Sequence, residues 1–87
     1  MGVEGMAGWS KIRAYVLVKV VTGLEREALS TLQSIPQLQE IDFIFGEYDY
    51  VLTIDAEHIE ALSDIVEEHI RKAPGVAKTT TLIEAKL

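Results

Sequence analysis

The sequence predicts an α+β sandwich, a four-stranded antiparallel sheet covered on one face by two helices, on three observations. Four short segments rich in β-branched and aromatic residues carry strand signals, the first alternating cleanly at a period of two. Two segments between them repeat their apolar residues at helical spacing. The resulting order, β-α-β-β-α-β, is a strand-helix-strand unit used twice, and right-handed crossovers put both helices on one side of a single sheet.

Ile12 to Val20 is the first strand, with Ile12, Ala14, Val16, Val18 and Val20 on one face and Arg13, Tyr15, Leu17 and Lys19 on the other. Thr22-Gly23-Leu24-Glu25 has capping-box spacing, in which the hydroxyl and the carboxylate satisfy free amides at a helix start. Leu24, Ala28, Leu29, Leu32 and Ile35 form the apolar stripe of the helix that follows, and Pro36 ends it by disfavouring helical backbone at Ile35. Glu40 to Phe45 and Tyr50 to Ile54 are the next two strands, joined by the hairpin turn Gly46-Glu47-Tyr48-Asp49. Asp55 is the expected cap of a second helix striped by Ile59, Leu62, Ile65, Val66 and Ile70, which Ala73-Pro74-Gly75 stops. Val76 to Ala85 returns as the last strand. Tyr15-Val16-Leu17 recurs as Tyr50-Val51-Leu52, which reads as an internal duplication. The class is therefore ferredoxin-like, spanning residues 12–87. Residues 1–11, with three glycines and no basic n-region, are expected to be a flexible arm.

An 87-residue chain holds one small domain, and its 48% hydrophobic content is enough for a packed core. No cysteine is present, so disulfides and thiolate metal sites are excluded and a reducing cytoplasm is the expected setting. The net charge of −6 repels phosphate backbones, and no apolar run approaches the ~20 residues that span a bilayer. Neither direct nucleic-acid binding nor membrane insertion is expected. With both helices on one side, Tyr15 and Leu17 lie on an uncovered sheet face, which favours sheet-to-sheet homodimerisation.

The run Tyr15-Val16-Leu17-Val18-Lys19-Val20 with Gly23, the segment Phe45-Gly46-Glu47-Tyr48-Asp49-Tyr50, and Pro74-Gly75-Val76 leading to Thr79 and Thr81 together resemble the ligand-binding and oligomerising domain of the leucine-responsive regulator (Lrp/AsnC) family of prokaryotic transcription regulators. The resemblance covers Ile12 to Leu87 and is most specific at the Gly-x-Tyr-Asp turn. It implies dimers assembled into rings, commonly octamers. It also implies a small amino-acid effector bound between dimers near Gly46, Glu47, Tyr48 and Asp49, with Thr79 and Thr81 as further contacts. Only about a dozen residues precede the sheet, so the expectation is a stand-alone domain that tunes transcription regulation or amino-acid metabolism, alone or mixed with full-length regulators, without touching DNA itself.

Each residue also has a purely architectural reading. Gly46 suits a turn with positive φ and equally allows a ligand close to the backbone. Asp49 suits either turn amides or the ammonium of an amino acid. Thr79 and Thr81 favour a half-exposed strand and can also donate to a carboxylate. Tyr48 suits a lid or a subunit boundary. His58 and His69 stand about 16 Å apart along one helix, too far to share a metal, so neither metal, cofactor nor catalytic residue is expected. The alternative from another class is a small dimeric ferredoxin-like enzyme, a cofactor-independent oxygenase or isomerase, and the sequence offers it no titratable pair.

Overall fold

The computed structural model describes residues 11–85, so all of the expected N-terminal arm but Lys11 lies outside the described residues. Strand β1 (Ile12–Val20) leads to helix α1 (Glu25–Gln33), strands β2 (Leu38–Phe43) and β3 (Tyr50–Ala56), helix α2 (Ile59–Asp64) and strand β4 (Val76–Ile83). The four strands form one sheet in the order β2-β3-β1-β4, every neighbouring pair antiparallel. This is the ferredoxin-like arrangement. β1 and β3 occupy the centre, and Val16, Val18, Leu52 and Ile54 on their helix-side faces are fully buried in one core with Leu32 of the first helix and Ile70 of the π-helical segment (Ile65–Ile70) that continues the second.

β1 has the predicted boundaries and alternation, because one of its faces is wholly apolar and the other mixed. Several other boundaries differ from expectation, each for a local reason. The capping box does not form. The Leu24 amide donates to the Val21 carbonyl at 3.0 Å, closing a tight turn that contains Thr22 and Gly23, so Leu24 takes the cap position without a side-chain bond. Glu25 still reaches back, accepting from the Gly23 amide at 3.0 Å. β2 starts at Leu38, pairing with Ile54, and stops at Phe43 rather than Phe45, since the Ile44 amide already closes the hairpin onto the Asp49 carbonyl.

Asp55 does not cap the second helix. It remains inside β3 opposite Arg13, whose guanidinium donates to both of its oxygens at 2.8 and 3.0 Å. His58 is the cap instead, its Nδ1 accepting the Ala61 amide at 3.2 Å. Ile59, placed in the apolar stripe by its spacing, is half exposed at the first position after that cap. The helix then changes pitch, and Ile65–Ile70 winds as a π-helix whose amide ladder ends with Arg71 donating to the Val66 carbonyl. β4 ends at Ile83, two residues before the expected Ala85.

The duplicated topology holds, but the recurring tripeptide does not superpose. Tyr15 pairs with Thr53 and Leu17 with Val51, so Tyr15 and Leu17 lie on the open face, whereas Tyr50 and Leu52 lie on the buried one. The two copies of Tyr-Val-Leu are out of phase by one residue, which in a strand reverses every side chain.

Candidate functional site

At one end of the sheet the hairpin turn of residues 46–49 meets the end of β1 and the start of β4. Gly46 has φ of 120°, and a Cβ built on it meets nothing within 4 Å. Within one copy the backbone conformation is what requires the glycine. Asp49 clasps β1 at two points. Its amide donates to the Val18 carbonyl at 2.8 Å, and its Oδ2 accepts the Val20 amide at 2.8 Å. This clasp sits where β1 changes register against β4, from Lys19 opposite Lys78 to Val20 opposite Val76. A neutral turn amide and a charged ligand group were both open to Asp49; within one copy Oδ2 serves a strand amide.

Tyr48 and Glu47 extend from the turn over the end of β1 to β4, on the open face. The Tyr48 hydroxyl lies 2.6 Å from the Thr80 hydroxyl, the Lys78 ammonium stands 5.5 Å from the centre of the Tyr48 ring, and Glu47 pairs with Lys78 at 2.8 Å. That ion pair holds the Glu47 carboxyl below the usual carboxylate range and the Lys78 ammonium above its own. Both groups are exposed to solvent, which screens the attraction.

Thr79 and Thr81 lie on the opposite side of β4. Thr79 pairs with Val18 and Thr81 with Val16, both helix-facing residues, whereas Thr80 pairs with Leu17 on the open face. Thr79 and Thr81 line an open cleft of about 590 Å³ between β4 and the π-helical turn, together with Val66, Glu67, Arg71, Val76, Ala77 and Lys78. Neither threonine hydroxyl has a hydrogen-bond partner among the described residues. Glu67 and Arg71 pair along the helix at 3.0 Å.

One copy of the chain thus does not gather all six expected ligand contacts in one cavity. Glu47 and Tyr48 lie on the open side with Lys78 and Thr80, Thr79 and Thr81 on the helix side with Glu67 and Arg71, and Gly46 and Asp49 at the strand ends. Sequence reasoning missed Lys78, Thr80, Glu67 and Arg71. The last two share one helix face at four-residue spacing, a signal present in the sequence. Lys78 and Thr80 emerge only once β4 is registered on β1.

Tyr15 and Leu17, the expected interface residues, occupy the middle of the open face, flanked by Val51 and Thr53 on β3 and by Thr80 and Leu82 on β4. Leu82 is half exposed, and the Tyr15 hydroxyl donates to Glu84 at 3.1 Å. The Arg13–Asp55 pair bounds this apolar strip at one end, Lys19 and Lys78 at the other. Among the described residues no group of three metal-binding side chains exists, and no helix is long and apolar enough to cross a membrane.

Residues 13–86 match the family model of the Lrp/AsnC ligand-binding domain. The FL11 transcriptional regulator of Pyrococcus horikoshii is 35% identical over 79 residues, an alignment covering 91% of this chain and 51% of the regulator. The chain spans about half the length of the curated relatives it matches. Among solved structures, TTHA0845 from Thermus thermophilus superposes with a TM-score of 0.81 at 28% identity, covering 87% of this chain and 95% of that one. The transcriptional regulator NMB0573 of Neisseria meningitidis, solved as a complex with L-Met, shares the fold with a TM-score of 0.83 at 17% identity, over 99% of this chain and 56% of its own. This chain belongs to the Lrp/AsnC family, and residues 13–86 are its ligand-binding domain.

Proposed function

We propose that this domain senses a small amino acid at a site completed between copies, where the turn of residues 46–49 of one copy meets the Thr79/Thr81 cleft of another, and that occupancy tunes the assembly in the service of transcription regulation. The observation that carries this is the pair of unpartnered threonine hydroxyls on an open cleft that also holds the anion Glu67 and the cations Arg71 and Lys78. A zwitterion needs donors for its carboxylate, which Thr79, Thr81 and Arg71 supply. It also needs an anion for its ammonium. Glu47 is held by Lys78 and Glu67 by Arg71, so Asp49 through Oδ1 fills that role. The L-Met complex of the Neisseria regulator supports an amino acid as the ligand class.

The copies pair sheet to sheet through Tyr15 and Leu17, and the dimers join into a ring such as an octamer, open to full-length members of the family as partners. The domain itself makes no contact with DNA, in keeping with its net charge of −6. It is not an enzyme; it acts by coupling a ligand to an assembly. A ligand that binds only the assembled form stabilises it by about 2.7 kcal/mol at a hundredfold excess over Kd. A thermal-shift screen of the twenty amino acids tests this. One or a few should raise the melting temperature of the wild type by several degrees, and the shift should vanish in Thr79→Val/Thr81→Val, which keeps the strand-favouring shape and removes both hydroxyls. No shift with any amino acid at millimolar concentration would refute amino-acid sensing.

A further inference from the structure

One hairpin carries both an aromatic knob and an apolar hole. Phe45, on the loop leaving β2, is fully exposed. Two residues earlier Phe43 is 68% exposed and tilts against Tyr50 with ring centroids 5.4 Å apart. Between this pair and α1 opens a second cleft, of about 370 Å³, whose lining is Leu29, Phe43 and Tyr50 with Glu25 and Arg26. The Tyr50 hydroxyl donates to the Glu25 carbonyl at 3.3 Å, which fixes the strand against the helix and keeps the hole in shape.

We infer that Phe45 of one copy fills the Leu29/Phe43/Tyr50 cleft of a second copy, reciprocally, and that this contact joins sheet-paired dimers to one another. It rests on the ring-of-dimers part of the function proposed above and is independent of the amino-acid ligand. Four features of the hairpin point to a second copy as the occupant. A two-fold contact requires one patch to be complementary to itself, and here knob and hole are separated by at most about 7 Å of extended chain. Glu25 and Arg26 give the cleft one charge of each sign, so two such rims attract when apposed antiparallel across a two-fold axis. Phe43 pairs with Tyr50, which is buried on the helix side, so the contact lies on the other side of the sheet from Leu17 and both contacts can be made at once.

The fourth feature is area. Two phenylalanines from each of two copies bury at most roughly 1,000 Å², below the ~1,200–2,000 Å² of a stable stand-alone interface. Such a contact cannot build the dimer but can close a ring, where several weak contacts act together.

Native mass spectrometry with sedimentation velocity at micromolar protein tests the inference on the wild type, Phe45→Ser and Leu29→Trp. The first variant removes the knob and the second fills the hole while leaving the knob intact; circular dichroism verifies that each folds. The expected result is a wild type larger than a dimer and two variants that stop at the dimer. Wild-type stoichiometry in Phe45→Ser overturns the inference and leaves the ring standing. Monomers in that variant place Phe45 in the primary dimer contact and overturn it too, and a wild type that stops at the dimer removes the ring itself.

Discussion

Gly46 and Gly75 both hold backbone that L side chains rarely adopt, with φ of 120° and 85°, and they differ in what surrounds them. A Cβ on Gly46 enters open space, whereas one on Gly75 lies 2.8 Å from the Leu24 Cβ and 2.9 Å from the Leu24 carbonyl oxygen. Gly46→Ala should therefore cost only backbone strain, about 1–2 kcal/mol. Gly75→Ala adds a clash with main chain that cannot move aside and should cost about 2–5 kcal/mol. Urea denaturation of the two variants checks the order, and equal losses would mean that the Leu24 contact yields freely. The sequence marked both glycines as turn residues, but it could not rank them, because Leu24 is fifty-one positions away. The same distance effect hid the partner of Asp49. A carboxylate at a strand entrance was evident, and its acceptance of the Val20 amide depends on how β3 registers on β1.

At the scale of elements, legibility followed the strength of the periodic signal. β1 alternates over nine residues and was read to its ends, while β2, with only part of its length apolar, was read two residues late at both ends. The second helix was placed correctly by its stripe and misread at its cap. Asp55 has the better capping chemistry, but its salt bridge to Arg13 and its ladder position keep it in β3, which leaves His58 as the first residue free to cap. His58→Ala should lower stability by about 1 kcal/mol, which for a domain of this size shifts the melting temperature by about 4–8 °C. His58→Ser should restore most of it, since a hydroxyl can accept the same amide. An unchanged melting temperature in the alanine variant would mean that the cap is replaced by water at no cost. No pattern announced the π-helical turn; its extra residue per turn changes which side chains face β4 without changing composition, and it carries Glu67 and Arg71 to the cleft.

For the whole molecule, the expected open sheet face is present with Tyr15, Leu17, Val51 and Leu82 along it and charges at both ends. That was legible because a period-two pattern assigns faces before any packing is known. Leu17→Glu puts a carboxylate in the middle of this strip, and sedimentation velocity should show monomers or aggregates in place of the wild-type assembly. An oligomer of wild-type size would mean that copies do not meet through this face. The exposed Phe45 was not legible as a surface feature, because Phe43 and Phe45 read as the end of a strand and only the early stop of β2 leaves Phe45 uncovered.

The one-residue offset between the two Tyr-Val-Leu segments has a consequence for how the fold can go wrong. In a molecule whose halves matched in phase, either half could take the place of the other, and two chains could exchange equivalent halves with little loss. Here a first half installed in the position of the second turns Tyr15 and Leu17 inward and sends Val16 out to water. The halves look alike as diagrams and are not interchangeable as parts. The offset makes the chain read its own order, since only one arrangement of the two units keeps Val16, Val18, Leu52 and Ile54 on the helix side.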